Sequence, residues 1–241
     1  MRTRSKEIVN IIGRKIVNGS IRDGEVLPKV EDLSKDYGVS RTVIREALQN
    51  LSARGLIRSI QRSGTVVLPS DEWQWWDLDV ITWLSDYQGK DGQFFLDMTQ
   101  VRLGIEPLAA ELAAINATYR DREELTACYK KLEMTINDTK KWALADYQFH
   151  LKIIEASHNT LMISLLKLLH KGLIISREKS LEALNKNPDL YQDKPSYEVL
   201  RRHEDLYNAI ISGDAEAAKS IMTDMIWVVK TVFERTLNDN N

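Results

Sequence analysis

Asp146 and His150 stand four residues apart in a stretch of helical periodicity, a spacing that separates them by only about 40° around the axis and sets an oxygen and a nitrogen ligand on one face. His203, on a later stretch, can add a second nitrogen, so the three residues have the chemistry of a divalent metal site. The same spacing equally suits a solvated or salt-bridged pair. Arg102 and Glu106 repeat the i, i+4 interval in an otherwise apolar helix that continues through Pro107. A planar guanidinium there can hold a carboxylate ligand bidentately, or it can pair internally with the glutamate. Ser40, Arg41, Thr42 and Arg45 crowd the start of another helix, where arginine can bond guanine O6 and N7 and the hydroxyls can serve a base or a phosphate. No His-Glu-x-x-His helix, nucleophile elbow or glycine-rich phosphate loop accompanies these groups. A metal-dependent enzyme built on Asp146, His150 and His203 is therefore the alternative and not the leading reading.

The elements that must position these residues follow from periodicity. Ile8, Ile12 and Ile16 mark an amphipathic first helix that stops near Gly19. A second helix, Val30 to Tyr37, follows Leu27-Pro28, buries Val30 and Leu33, and ends at Gly38. Ser40 is the N-cap of a third, Arg41 to Ala53, with Val43, Ala47, Leu48 and Leu51 facing inward. Leu56 to Ile60 and Thr65 to Leu68 then read as two strands joined by the polar turn Gln61-Arg62-Ser63-Gly64. Three helices and a two-stranded wing make a winged helix-turn-helix, an arrangement for reading the major groove.

Beyond Pro69 the strand signals stop, and the second domain is expected to be an all-α bundle. Helices are placed near 77–87, 93–117, 121–137, 140–157, 160–184, 196–211 and 214–237, with polar breaks that include 89–92 and 185–195. The domain division is 1–69 for DNA binding, 70–90 for a tryptophan-rich linker and junction helix, and 91–241 for effector binding and dimerisation. The fold class is mainly α.

Charge supports that division. The 241 residues carry a net −2, yet residues 1–69 hold 13 Lys and Arg against 7 Asp and Glu, and the remainder is acidic. A basic head suits a polyanion and an acidic body does not. The one cysteine, Cys128, rules out an intrachain disulfide framework. No apolar run reaches the length of a signal peptide or a membrane span, which makes a cytoplasmic setting the expectation.

The stretch LPKVEDLSKDYGVSRTVIREALQNLSARGLIRSIQRSGTVV resembles the DNA-binding domain of GntR-family transcription regulators. VRLGIEPLAAELAA, DYQFHLKIIEASHN and HEDLYNAIISGDAEAA are similar to the helical effector (FCD) domain of the FadR subfamily. Trp73, Trp75, Trp76 and Trp83 resemble the domain junction of sugar-acid regulators of the galactonate type, and are read as packing between domains. This resemblance implies a homodimeric repressor that binds double-stranded operator DNA and releases it on binding a sugar acid or other small carboxylate, with no membrane partner; a fatty acyl or other non-sugar ligand sensed without metal is the alternative. It makes Arg41 and Arg45 contacts to bases and phosphates, and Arg62 and Gly64 parts of a DNA-contacting wing. It makes Arg102 the partner of the effector's carboxylate, with Glu106, Asp146, His150 and His203 beside it, and Asp146, His150 and His203 three of four ligands to a zinc-like ion. Met225 falls at the fourth ligand position, Glu31 where the family has arginine, and Arg62 where it has glycine. His158 and His170 are read as ordinary polar positions, and Trp142 and Trp227 as pocket or core.

Overall fold

The structure, a computed structural model, describes residues 4–88, 93–186 and 195–239. The expected break at 89–92 and positions 187–194 of the one at 185–195 lie outside the described residues. The chain divides into two compact units, one running to Tyr87 and the other starting at Gln88.

In the first unit, α1 (Arg4–Val17) buries Ile8, Val9, Ile12, Ile16 and Val17 on one stripe. After it come α2 (Val30–Asp36) and α3 (Arg41–Ala53). Ser40 caps α3, its Oγ accepting from the Val43 amide at 3.3 Å. The buried face of α3 is Ile44, Ala47 and Leu51, each fully enclosed, whereas Val43 and Leu48, expected inward, are half-buried. The stripe at i, i+3, i+7 runs through Ile44, which turns the face by one residue. Strands β2 (Ile57–Ile60) and β3 (Gly64–Val67) pair antiparallel, with Ile57 opposite Val67 and Ile60 opposite Gly64. The expected hairpin has a third member: β1 (Val26–Leu27) pairs with the other edge of β3, giving the order β1-β3-β2. Two residues before a proline carry no strand periodicity, so β1 is specified by its partner.

The tryptophan-rich segment packs on this same unit. Trp83, on α4 (Leu78–Gln88), is 1% exposed and lies over Gly13 of α1. A Cβ on Gly13 would fall 2.4–2.9 Å from ring atoms of Trp83, so only glycine lets the two helices meet there. The indole Nε1 donates to Asn10 Oδ1 at 3.0 Å. Arg54, at the C-terminal end of α3, donates through Nε to Asp77 Oδ1 at 3.0 Å and through a terminal nitrogen to Asp79 Oδ2 at 2.7 Å, joining α3 to the start of α4. Trp73 and Trp75 donate to the carbonyls of Leu68 and Ser70.

The second unit is helical throughout its described residues: α5 (Gln93–Asn116), α6 (Tyr119–Thr135), α7 (Thr139–Ala156), α8 (Thr160–Leu168), α9 (His170–Lys186), α10 (Pro195–Ser212) and α11 (Ala215–Asp239). The single helix expected over 160–184 is broken. Leu169 ends α8, its amide donating to the Leu165 carbonyl, and α9 restarts at His170. Gly172 follows within the first turn of α9, and Leu169 itself is buried at the break while Leu165 and Leu168 stay outside. Ala109, Ala110, Ala113 and Ala114 on α5 are buried, and their small side chains admit α7 and α11 close to the α5 backbone. Phe149, Ile153, Leu206, Ile210, Met222 and Ile226 complete this core. No described helix is long and apolar enough to cross a membrane.

Candidate functional site

Four helices of the second unit bring charged groups to one buried place. Turn spacing on α7 puts Asp146 and His150 on one face, α5 supplies Arg102 and Glu106 in the same way, α10 supplies His203, and α9 supplies Arg177. All six are at most 5% exposed. Arg102 Nε donates to Glu106 Oε1 at 2.7 Å. Arg177 bridges two carboxylates, donating to Asp146 Oδ2 at 2.5 Å and to Glu106 Oε1 at 3.1 Å. His203 Nε2 is 2.7 Å from Asp146 Oδ1, and its Nδ1 is 2.7 Å from the Val199 carbonyl. His150 Nδ1 lies 2.6 Å from Glu106 Oε2, too far off the N–H direction to count as a hydrogen bond, and its Nε2 is 3.8 Å from Asp146 Oδ1.

Burial raises the cost of every charge here, and the pairing decides which survive. Burial alone would raise the Glu106 carboxyl, but Arg102, then Arg177, hold it well below the usual carboxylate range. Asp146 is likewise lowered against its burial, chiefly by Arg177. His150 goes the other way: burial, and after it the charge of Arg177, lower the imidazolium to about 4, so the ring is neutral at pH 7. Two guanidinium groups thus face two carboxylates, with His150 adding no charge.

The ring geometry fits a metal ion. A carbonyl only accepts, so His203 Nδ1 carries the hydrogen that binds Val199, and its Nε2 faces an oxygen of an ionised Asp146 with either a second proton or a lone pair. Two acceptors at 2.7 Å require a proton or a cation between them. His150 shows the related pattern, Nδ1 toward a carboxylate and Nε2 toward Asp146. Ligating histidines are oriented this way by acceptors on their far nitrogen. The ligand atoms of Asp146, His150 and His203 lie within 4.8 Å of one another; Arg177 holds the second oxygen of Asp146, and the first faces His203.

A small cleft of about 50 Å³ lies beside the cluster. Arg102, Asp146, His150, Arg177, Arg202 and His203 line it. Leu181, Leu184, Val199, Val228 and Val229 form much of the rest. Met225 and Trp142 line it too, and both belong to the core. Glu106 is not among the lining residues; it lies beneath, fully enclosed, holding Arg102 and Arg177. Arg102 makes its one described hydrogen bond through Nε, which leaves both terminal nitrogens without a partner among the described residues. Trp227 is neither pocket nor core: it is half exposed beneath the Lys230 ammonium. His158 pairs with Asp121 and His170 packs on Tyr147.

Arg177 and Arg202 are the residues that spacing missed. Arg177 sits in LIISREK, and a lone arginine after an apolar run was the available signal.

In the first unit, Arg41, Thr42 and Arg45 are exposed on the first turns of α3, while the Ser40 oxygen is engaged as a cap. Glu31 pairs with Arg41 across 3.5 Å, so the departure at Glu31 is answered by local charge neutralisation. Arg62 and Gly64 occupy the wing turn with φ of 69° and 98°.

Known proteins match both units. A family described as bacterial regulatory proteins, gntR family, covers residues 4–67, and one described as FCD domain covers residues 97–226, more than half the chain. The chain is 27% identical over 225 residues to the galactonate operon transcriptional repressor of Escherichia coli K12, covering 92% of this chain and 93% of that one. It is 29% identical over 228 residues to the Glc operon transcriptional activator of the same strain, covering 92% and 86%. A solved structure of Lar, which controls expression of the Listeria monocytogenes agr system and mediates virulence, is similar in fold, with a TM-score of 0.58 at 19% identity and 98% of each chain covered.

Proposed function

The chain belongs to the bacterial regulatory proteins of the gntR family and carries their FCD domain, which makes it a DNA-binding transcription regulator and not an enzyme; on that premise we propose that it is a repressor released from its operator by a small carboxylate. The observation that supports this reading is Arg102, a buried guanidinium on the wall of a cleft, with two terminal nitrogens unpartnered among the described residues. A carboxylate is the ligand that matches such a fork in a dry site.

In this proposal Arg102 binds the carboxylate, Glu106 orients Arg102, and Arg177 fixes Asp146. Asp146, His150 and His203 would hold a divalent ion, with Glu106 and the Val199 carbonyl setting the two rings. When bound, the ion supplies coordination to the effector's carboxylate and a neighbouring hydroxyl, because three protein ligands leave positions open. Met225, a soft thioether, leaves that count at three. Arg41, Thr42, Arg45 and Arg62 read or grip DNA, and two copies of the chain read the halves of a two-fold operator, since one winged helix spans only a half-site. Ligand binding then acts by favouring a state of the dimer that fits the operator less well.

The experiment is selection of bound duplexes from a random library, followed by anisotropy titration of the enriched duplex with a panel of aldonates, 2-hydroxy acids and fatty acids. A palindromic site and release by a carboxylate are expected. Sites without two-fold symmetry would remove the dimer reading, and tightening of the complex on ligand addition would make the protein an activator, as one of its relatives is named.

A further inference from the structure

We infer that Glu31 is a specificity-determining residue, and that it reads one G·C base pair of the operator jointly with Arg41: Arg41 takes the guanine, and Glu31 takes the amino group of the cytosine paired with it. The inference rests on the reading above that the first turn of α3 meets base edges in the major groove, and deepens it at one base pair. Glu31 stands on the first turn of α2 and Arg41 on the first turn of α3, with Oε1 of one 3.5 Å from Nη1 of the other. The other described ion pairs of the first unit have a visible structural task. Arg14 with Asp86, Arg54 with Asp77 and Asp79, and Arg58 with Glu72 each fasten a helix or the wing to the segment between Glu72 and Asp86. The Arg41–Glu31 pair has no such task, because the turn between α2 and α3 is already held by Ser34 Oγ donating to the Val39 carbonyl at 2.6 Å. Its side chains are 63% and 44% exposed, and neither makes a hydrogen bond among the described residues. An exposed pair of this kind adds at most about 1 kcal/mol to stability, so stability does not account for a carboxylate at the start of the reading helix.

Base chemistry does account for it. Across the major groove a G·C pair presents guanine N7 and O6, both acceptors, and then the cytosine amino group, a donor. O6 and that amino nitrogen share a base-pairing hydrogen bond and so lie about 2.9 Å apart. A guanidinium and a carboxylate 3.5 Å apart are the complement of that step, donor facing acceptor and acceptor facing donor. A carboxylate has nothing to donate, so it can serve neither guanine N7 and O6 nor thymine O4, and a phosphate repels it. Among base edges it matches the amino groups of cytosine and adenine. With guanine under Arg41, the amino group within reach is that of the paired cytosine.

A duplex carrying 2-pyrimidinone in place of that cytosine tests the inference, since this base lacks the amino group and leaves guanine N7 and O6 in place. The guanine is located first, as the position of the selected half-site at which Arg41→Ala relaxes sequence preference. In anisotropy titrations of the full chain, the wild type should bind the analogue duplex about 10-fold more weakly than the natural one. Glu31→Ala should bind the two equally. Asp32→Ala, which removes the neighbouring carboxylate of the same turn, should keep the whole wild-type difference. Equal loss in the wild type and Glu31→Ala would overturn the inference, because a weakened base pair and not a missing contact would then explain it. So would a wild type indifferent to the analogue, or an Asp32→Ala protein that had become indifferent, which would make the effect one of general charge. Unrelaxed preference in Arg41→Ala would overturn the reading of α3 itself, and the inference with it.

Discussion

Arg177 is the side chain whose loss the helical domain should tolerate least. It neutralises Asp146 and shares Glu106 with Arg102 at a place closed to water, so Arg177→Met leaves an excess buried negative charge. Breaking a buried pair from one side costs about 3–5 kcal/mol, which urea unfolding should show as a lowered midpoint with little change in slope. Acid should act on the same cluster. In chelator, His150 stays neutral when folded down to about pH 4 but takes a proton near 6.5 once unfolded. The unfolded state therefore gains protons first, and stability should fall by roughly 3 kcal/mol as pH drops through that window. Glu106 and Asp146, held low in the folded chain, add stability that is present above their unfolded values and lost as pH falls further, so the decline continues in the same direction. His150→Gln should flatten the upper part of the curve; an unchanged curve would assign the acid loss elsewhere. Met225→His should tighten zinc binding in competition with a chromogenic chelator, since it puts a fourth good ligand on the cavity wall. Asp146, His150 and His203 were legible because two share a turn spacing and the third matches a family pattern. Arg177 was not, because its partners lie 31 and 71 residues away and no local interval announces them.

Among the elements, the closest joint is that of α1 with α4. Gly13→Ala would push a methyl into the Trp83 ring, and either the indole leaves its contact with Asn10 or the helices separate. A cost of about 1–3 kcal/mol is expected, read as earlier thermal unfolding of the first unit. A stable Gly13→Ala protein would mean that α4 is not fastened by this contact. Helices with a clean apolar stripe were legible to within a few residues, α3 among them, because burial of one face is the force that makes the stripe. The bend at Leu169 and the strand β1 were not, because each is imposed by what the segment packs or pairs with. The junction tryptophans mark a packing site by their number alone, whereas the burial of Trp83 on α1 and the bonds of Trp73 and Trp75 to the local backbone depend on the folded chain.

At the scale of the whole molecule, the basic head and acidic body were visible in composition alone, because net charge sums over a domain without needing its fold. The cluster of six buried charged and imidazole groups was not visible in that way, since burial depends on the packing of the four helices that carry them. The dimer proposed above makes a quantitative demand on DNA binding. The logarithm of operator affinity should fall linearly with the logarithm of salt, and Arg62→Ala should reduce the slope by about 2, one phosphate contact for each copy. A reduction near 1 would indicate that a single wing engages. The wing turn itself has a further consequence. Arg62 holds a φ of 69°, a conformation that costs a side-chain-bearing residue about 1–2 kcal/mol and that glycine adopts without penalty. The position thus sets robustness against reach: heat-selected descendants of this chain should drift to glycine there, and those selected for tighter repression should keep the arginine.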